Sequence, residues 1–277
     1  MKKAVIQIVL GFIVFFVANI MAFIYHYNKF YLFLLLGIFL MLKGTFRIIN
    51  KKELINFRYF LNIYLAFFIL GIIADLILGI WVTKLWSYPS YTLINYIILY
   101  LFIYPLGGLT MVYSFALLES IFIEKPRARR WAHQRSLSIT KVIFITGLIG
   151  LIISLTLNIP FKGFFIYFFV VWGGYGLVNQ LILRVKEDNL LERFVTKSLK
   201  YGILILVVAY TQGIIHEFPN IFAKEWQYMN FPFQSITFLE IPIMVLFLGW
   251  IALVIIPYAV FELIGTKIKK DLHKQTK

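Results

Sequence analysis

The chain has no cysteine. Disulfides, Cys-ligated zinc, iron–sulfur clusters and thiol nucleophiles are excluded, although the absence fits any redox compartment. Charge is also scarce. Only 14% of residues are charged, against ~25% in a soluble domain, and 12 Asp and Glu stand against 27 Lys and Arg. No Walker A sequence, G-x-S-x-G, H-E-x-x-H, paired Asp-rich prenyl-diphosphate motif or multi-histidine box occurs. Most intramembrane hydrolases and lipid transferases thereby lose support. No span is rich in arginine or in pore-lining polar residues, which argues against a channel.

What fills the 277 residues is apolar: 61% are hydrophobic, and mean hydropathy is +0.87. A soluble domain has ~45–50% apolar residues. A bilayer core ~30 Å thick needs ~20 apolar residues per helix, and several runs reach that length. Only helices and closed barrels satisfy every backbone group in lipid, and these runs lack strand-like alternation. The expected fold class is an all-α integral membrane protein with eight transmembrane helices. The spans read as about 4–25, 30–46, 59–82, 92–123, 142–159, 163–183, 201–217 and 241–264. The apolar run after Met1-Lys2-Lys3 exceeds a signal-peptide core of ~7–15 residues, so it reads as a retained first span.

The net charge of +15 does not point to nucleic acid, because the basic residues lie in short stretches between apolar runs. Span four, interrupted by Pro105, Gly107 and Gly108, could be one long helix or two short ones. With one helix, all but four of the 27 Lys and Arg (Lys29, Lys84, Lys162 and Lys224) fall on the cytoplasmic side. Splitting it would put most of them outside. The positive-inside rule therefore selects one long, kinked or tilted helix, with both termini cytoplasmic in the cell membrane. The basic run from Lys125 to Trp131 would meet anionic lipid headgroups, at ~1 kcal/mol per basic residue. The expected partners are the bilayer, those headgroups, and a second membrane protein or a second copy of the chain.

The cytoplasmic loops carry helix signals. Asn189-Leu190-Leu191-Glu192 fits a capping box. Leu190, Leu191, Phe194, Val195 and Leu199 follow at near-helical spacing, which predicts a short amphipathic helix on the inner surface. Asn50-Lys51-Lys52-Glu53 gives the same N-x-x-E signature before span three.

Two stretches resemble each other. Gly71-Ile72-Ile73-Ala74-Asp75 lies near the outer end of span three, and Gly213-Ile214-Ile215-His216-Glu217 near that of span seven. Each leads to Trp-x-Tyr and then Pro: Trp86, Tyr88 and Pro89 in one copy, Trp226, Tyr228 and Pro232 in the other. The returning spans carry Tyr113 and Glu119, and Tyr258 and Glu262. The order predicts two parallel four-helix repeats, residues 1–136 and 137–277, about an axis along the membrane normal. Spans one and two match five and six poorly.

Asp75, Lys84-Leu85-Trp86-Ser87-Tyr88-Pro89 and Tyr104-Pro105 carry a family resemblance over about residues 65–123. The segment resembles an uncharacterised family of small multi-pass membrane proteins of spore-forming, low-GC Gram-positive bacteria. The resemblance implies a membrane location and a helical fold, and no known reaction.

Asp75 lies about 7 residues inside the outer end of span three, roughly 10 Å deep. An acid there marks either a function or a buried hydrogen-bonded partner. Glu217 is its repeat counterpart, read as closer to the surface. If the halves pack about a twofold, the two carboxylates would meet near the axis and share a proton. Trp86, Tyr88, His216, Trp226 and Tyr228 are candidate ligand-binding residues; the Trp and Tyr among them also fit an aromatic belt. His26, His216, Glu217, Glu225 and Glu240 share the outer side, but no spacing among them suits a metal, and neither metal nor cofactor is expected. His133 and His273 read as solvated. Glu119 and Glu262 read as structural, neutralised by Lys125, Arg127 and Lys267.

Three functions fit. The first is a non-catalytic envelope scaffold or assembly partner. The second is a small carrier or ligand-binding protein using Asp75 and Glu217. The third is an intramembrane acid–base enzyme acting on an isoprenoid or other lipid.

Overall fold

In the computed structural model, residues 2–124, 129–185 and 189–275 are described. Helices α1 (Lys2–Phe23) and α2 (Tyr31–Asn50) come first. Helix α3 (Phe57–Gly71) continues without a break as a π-helix, Ile72–Val82. After β1 (Trp86–Ser87), helix α4 (Leu93–Ile98), a π-stretch (Leu99–Ile103) and α5 (Tyr104–Phe122) form one continuous helical run. Helices α6 (Arg130–Thr156), α7 (Lys162–Leu183), α8 (Leu190–Thr196) and α9 (Ser198–Ala223) follow. The chain ends with β2 (Gln227–Tyr228), β3 (Thr237–Phe238), β4 (Ile241–Pro242), a π-stretch (Val245–Gly249) and α10 (Trp250–Gln275).

Among the described residues, eight helical segments are long and apolar enough to cross a membrane. Span four is a single segment, Leu93–Phe122, as its sequence predicts. Four boundaries differ from expectation by four residues or more, and span two is one of them, running on to Asn50. Span five begins at Arg130, about a dozen residues early, because Arg135 and Lys141 interrupt the hydropathy and not the helix. Span seven runs on through Pro219 to Ala223, and span eight begins at Val245 instead of 241. Asn50 does not open span three. It ends α2, Lys51 turns left-handed with φ 53°, and Glu53 pairs with Arg47 at 3.1 Å.

The spans are sorted by size rather than by polarity. Along α1, Ala4, Gly11, Ala18 and Ala22 are buried, while Val5, Phe12, Ile13 and Phe16 are exposed. Small residues let backbones approach where no hydrophobic force separates helix from solvent. A Cβ on Gly11 would lie 2.7 Å from the Gly37 carbonyl oxygen of α2, and a Cβ on Gly147 2.5 Å from Gly173 Cα of α7. The hairpins α1–α2 and α6–α7 therefore cross at paired glycines. Span four is the most buried of the eight, and α5 packs on α2, α3, α9 and α10.

Pro105 sits where the π-stretch hands over to α5 and donates no backbone hydrogen bond. Its normal acceptor would be the Leu101 carbonyl, and the Tyr64 hydroxyl donates to that oxygen instead. A freed carbonyl among apolar helices has thus been re-satisfied from the neighbouring span.

The loops at one end of the bundle pair with each other. β1 and β2 are antiparallel, with Trp86 opposite Tyr228 and Ser87 opposite Gln227. The Met229 amide donates to the Leu85 carbonyl at 2.6 Å, and Asn230 Nδ2 to the Lys84 carbonyl at 2.9 Å. The opposite end is closed by α8.

Candidate functional site

The two Trp-x-Tyr loops point back into the bundle. Asp75 is fully buried. Its Oδ1 accepts from Trp86 Nε1 and from the Tyr88 hydroxyl at 3.1 Å, and its Oδ2 from the Tyr100 hydroxyl at 2.6 Å. Tyr104 completes the aromatic wall, its hydroxyl 3.4 Å from that of Tyr88. Glycines one turn either side of the acid make the room. A Cβ on Gly71 would strike the Tyr104 ring at 2.5 Å, and one on Gly79 would run into the Trp86 indole.

Glu217 is held in the same manner. Its Oε1 accepts from the Tyr228 hydroxyl at 2.5 Å and from Trp250 Nε1 at 3.1 Å, and its Oε2 from Trp226 Nε1 at 3.2 Å. Gly213, four residues earlier like Gly71, sits close against the returning span: a Cβ there would lie 3.0 Å from the Trp250 indole. Glu217 lies six residues inside the end of its helix and Asp75 seven, so the two acids stand at nearly the same depth in their helices. Span three ends at Val82 and span seven at Ala223, so both acids lie almost two turns inside.

The expected shared proton is not found. Asp75 and Glu217 do not hydrogen-bond each other; each has three donors of its own. A carboxylate can accept about four hydrogen bonds, so each is close to saturation. Trp86, Tyr88, Trp226 and Tyr228 are not simply belt residues, since their polar atoms face the acids. Trp81 is 65% exposed and fits the belt.

The loop cluster holds a third acid. Glu225 is buried and accepts from the Tyr91 hydroxyl and from the Tyr31 amide at 3.1 Å. Burial pushes its pKa up from 4.5 to about 7, and hydrogen bonds from Tyr91 and the Tyr31 amide, with Lys29 nearby, pull against that rise. The raised value means that the native state keeps a proton which the unfolded chain gives up. The stabilising difference is whole below pH 4.5 and is lost as pH rises through about 7. Thermal unfolding between pH 5 and 8 should show a decline on the order of 1–3 kcal/mol that Glu225→Gln flattens. An unchanged slope in that variant would remove Glu225 as the cause.

His216 lies fully buried between Tyr31 and Gln212. Its Nδ1 is 2.6 Å from the Tyr31 hydroxyl, its Nε2 is 3.0 Å from Gln212 Oε1, and Gln212 Nε2 donates to Ser114 Oγ at 2.9 Å. Since the Gln212 oxygen only accepts, Nε2 carries the proton and Nδ1 accepts from Tyr31. His26 reaches only the Phe222 carbonyl at 3.2 Å. Among the described residues, no three of His, Asp and Glu gather as a metal site.

At the opposite end, Arg193 of α8 is 2% exposed and reaches two spans at once. Its Nη1 lies 2.5 Å from Glu119 Oε1 in α5, and its Nη2 2.6 Å from Glu262 Oε1 in α10. The Tyr201 hydroxyl donates to Glu119 at 2.9 Å, and the Leu190 amide to Glu262 at 2.8 Å. Arg193 thus neutralises the pair assigned from sequence to Lys125, Arg127 and Lys267. Lys125 and Arg127, with the side chains of Lys267 and His273, lie outside the described residues. Helix α8 opens with the expected capping box, Asn189 with Glu192, and ends at Thr196, short of Leu199. It is tucked under the bundle against α6 and α9 rather than laid on a surface. His133 is partly exposed, and its Nδ1 also meets Glu192 Oε1 at 2.5 Å.

Sequence reasoning missed Arg193, Tyr100 and Trp250 as polar partners. One signal was available for Arg193, which follows Leu190 by three positions and so shares its apolar face. For Trp250 the signal was Gly213, since its counterpart Gly71 clears space for a ring of the returning span.

The geometry defines a bundle of helices long and apolar enough to cross a membrane, pinned at one end by two carboxylate–indole–phenol clusters and at the other by an arginine–glutamate clasp. Comparison with protein-family models, curated proteins and solved structures gives no match, so the role of these clusters rests on their geometry.

Proposed function

We propose that the protein is a non-catalytic scaffold or assembly partner in the cell envelope, built from two parallel four-helix halves. Both termini and α8 lie on the cytoplasmic side, and the paired Trp-x-Tyr loops form an outer platform. The observation that carries this reading is that Asp75 and Glu217 each spend three of about four accepting positions on donors from their own loops and from the returning spans. A catalytic or transport carboxylate needs a free face for substrate or proton. These two use their lone pairs to hold the platform to the helices.

Several features support the duplication. In β1–β2, Trp86 opposes Tyr228 and Ser87 opposes Gln227, which sets a local twofold through the middle of both motifs. Lys84 and Lys224, two residues before the respective Trp, both turn left-handed, at φ 53° and 52°. A five-residue π-stretch precedes both Tyr104 and Trp250, the rings seated on Gly71 and Gly213. The Gly11–Gly37 and Gly147–Gly173 crossings relate spans one and two to five and six, which the sequence barely matches. Contacts repeat likewise: α2 on α5 as α7 on α10, and α3 on α5 as α9 on α10.

The distribution of Lys and Arg supports the orientation. The test is complementation of a deletion strain by an Asp75→Asn/Glu217→Gln double variant at wild-type folded level. A scaffold should retain full function. Loss of function at full folded level would overturn the reading in favour of a carrier or enzyme.

A further inference from the structure

Glu217 differs from a purely structural acid in one respect: it forms part of the floor of a cavity of about 310 Å³. Trp226 and Tyr228 wall the cavity, and Lys224, Gln234 and Glu240 stand at its exposed rim. That volume is at the lower end of small-molecule sites, about 300–1,000 Å³. The indole N–H of Trp226 and the hydroxyl of Tyr228 are already committed to Glu217, so what these residues add to the wall is aromatic surface. Glu217 Oε1 accepts two hydrogen bonds, whereas Oε2 accepts only the long one from Trp226 at 3.2 Å. One oxygen therefore keeps capacity for a donor.

The rim is strained. Leu239 and Glu240, with φ 50° and 60°, join β3 to β4. Two consecutive left-handed residues in a hairpin loop normally call for Asn-Gly, and a Leu there costs of order 1–3 kcal/mol. The strained turn places Glu240 at the mouth of the cavity whose floor holds Glu217.

We propose that this cavity binds a small alkylammonium group, with Glu217, Trp226 and Tyr228 lining the site and Glu240 at its exposed rim. Carboxylates and aromatic faces both favour a cation. Lys224 at the rim suits an anionic group on the same molecule, as in an aminoethyl phosphate. The ammonium can come from a soluble amine or from a lipid headgroup. The proposal does not depend on the scaffold reading, because a scaffold can carry a ligand and the complementation test does not measure binding.

The experiment is calorimetric titration of the full-length protein in phosphatidylglycerol nanodiscs, which contain no amine. The probes are ethanolamine and phosphoethanolamine, with ethylene glycol as a neutral control. Both amines should bind and the diol should not. Glu240→Gln should weaken the amines about tenfold, the effect of losing about 1.4 kcal/mol, with thermal stability unchanged because Glu240 is exposed. Absence of amine binding to the folded wild type, equal binding of the diol, or unaltered affinity in Glu240→Gln would each overturn the proposal. Nanodiscs containing phosphatidylethanolamine separate the sources. If they suppress phosphoethanolamine binding, the natural ligand is a lipid headgroup; if they do not, it is a soluble amine.

Discussion

Replacing Arg193 with Leu should cost roughly 3–5 kcal/mol of stability, the usual cost of removing one member of a buried ion pair. The reason lies in what remains. Glu119 and Glu262 are 1% and 4% exposed and approach the same guanidinium from α5 and α10. Without it, both buried carboxylates would lose the counter-charge they share. Arg193→Lys should rescue only part of the loss, because a point charge cannot span two acceptors as the planar fork does. The triple variant Arg193→Leu/Glu119→Gln/Glu262→Gln should recover most of it, since neutral amides do not need a counter-charge. Thermal unfolding in nanodiscs measures all three. A single Arg193→Leu variant within about 1 kcal/mol of wild type would remove the clasp from the account.

The second large effect is expected at Asp75. Asp75→Ala leaves the Trp86 N–H and the Tyr88 and Tyr100 hydroxyls without their acceptor in a buried site. Each orphaned donor costs about 1–3 kcal/mol, so the total should exceed about 3 kcal/mol. Asp75→Asn should be far milder. Its carbonyl oxygen still accepts from Trp86 and Tyr88, and a rotated Tyr100 hydroxyl can accept from the amide. A carrier that needs a charge at this site would show the opposite separation, with Asp75→Asn stable and inactive. Equal stability of the Ala and Asn variants would mean that the donors find water, and that the cluster does not fasten the loop.

Much of this architecture is legible in the amino-acid sequence. The eight spans follow from run length and the cost of unsatisfied backbone in lipid. The integrity of span four follows from the distribution of basic residues, although the rescue of its Pro105 by Tyr64 depends on a contact between spans that no single segment encodes. The early start of span five and the late end of span seven share one cause, whereas span eight starts late because Ile241 and Pro242 are in a strand. Hydropathy marks the apolar slab, whereas a helix such as α6 continues through Arg130, Arg135 and Lys141, which suit a helix well. Glu217 reads as shallow because the apolar run stops there, yet α9 carries on through Pro219 and Asn220 to Ala223.

The acids themselves are visible from the two similar Gly-Ile-Ile-x-acid stretches, and a carboxylate in an apolar run stands out on its own. Their partners are harder to find. Trp86, Tyr88, Trp226 and Tyr228 look like belt residues, and only the fold of the loops turns their polar atoms inward. Arg193 is hidden among 27 basic residues that topology already explains. Its burial depends on α8 folding back beneath the spans, a tertiary fact with a faint local trace in the capping box and in the apolar face it shares with Leu190.

The central claim is that the buried acids fasten the paired loops to the bundle. Hydrogen–deuterium exchange on the full-length protein in nanodiscs tests it most directly, with wild type compared against Asp75→Ala and Glu217→Ala. The account predicts faster exchange in residues 83–92 and 224–242, including the Met229 amide bonded across the loops, with the α8 clasp unaffected. Loops that stay as protected as in wild type in both variants would contradict it.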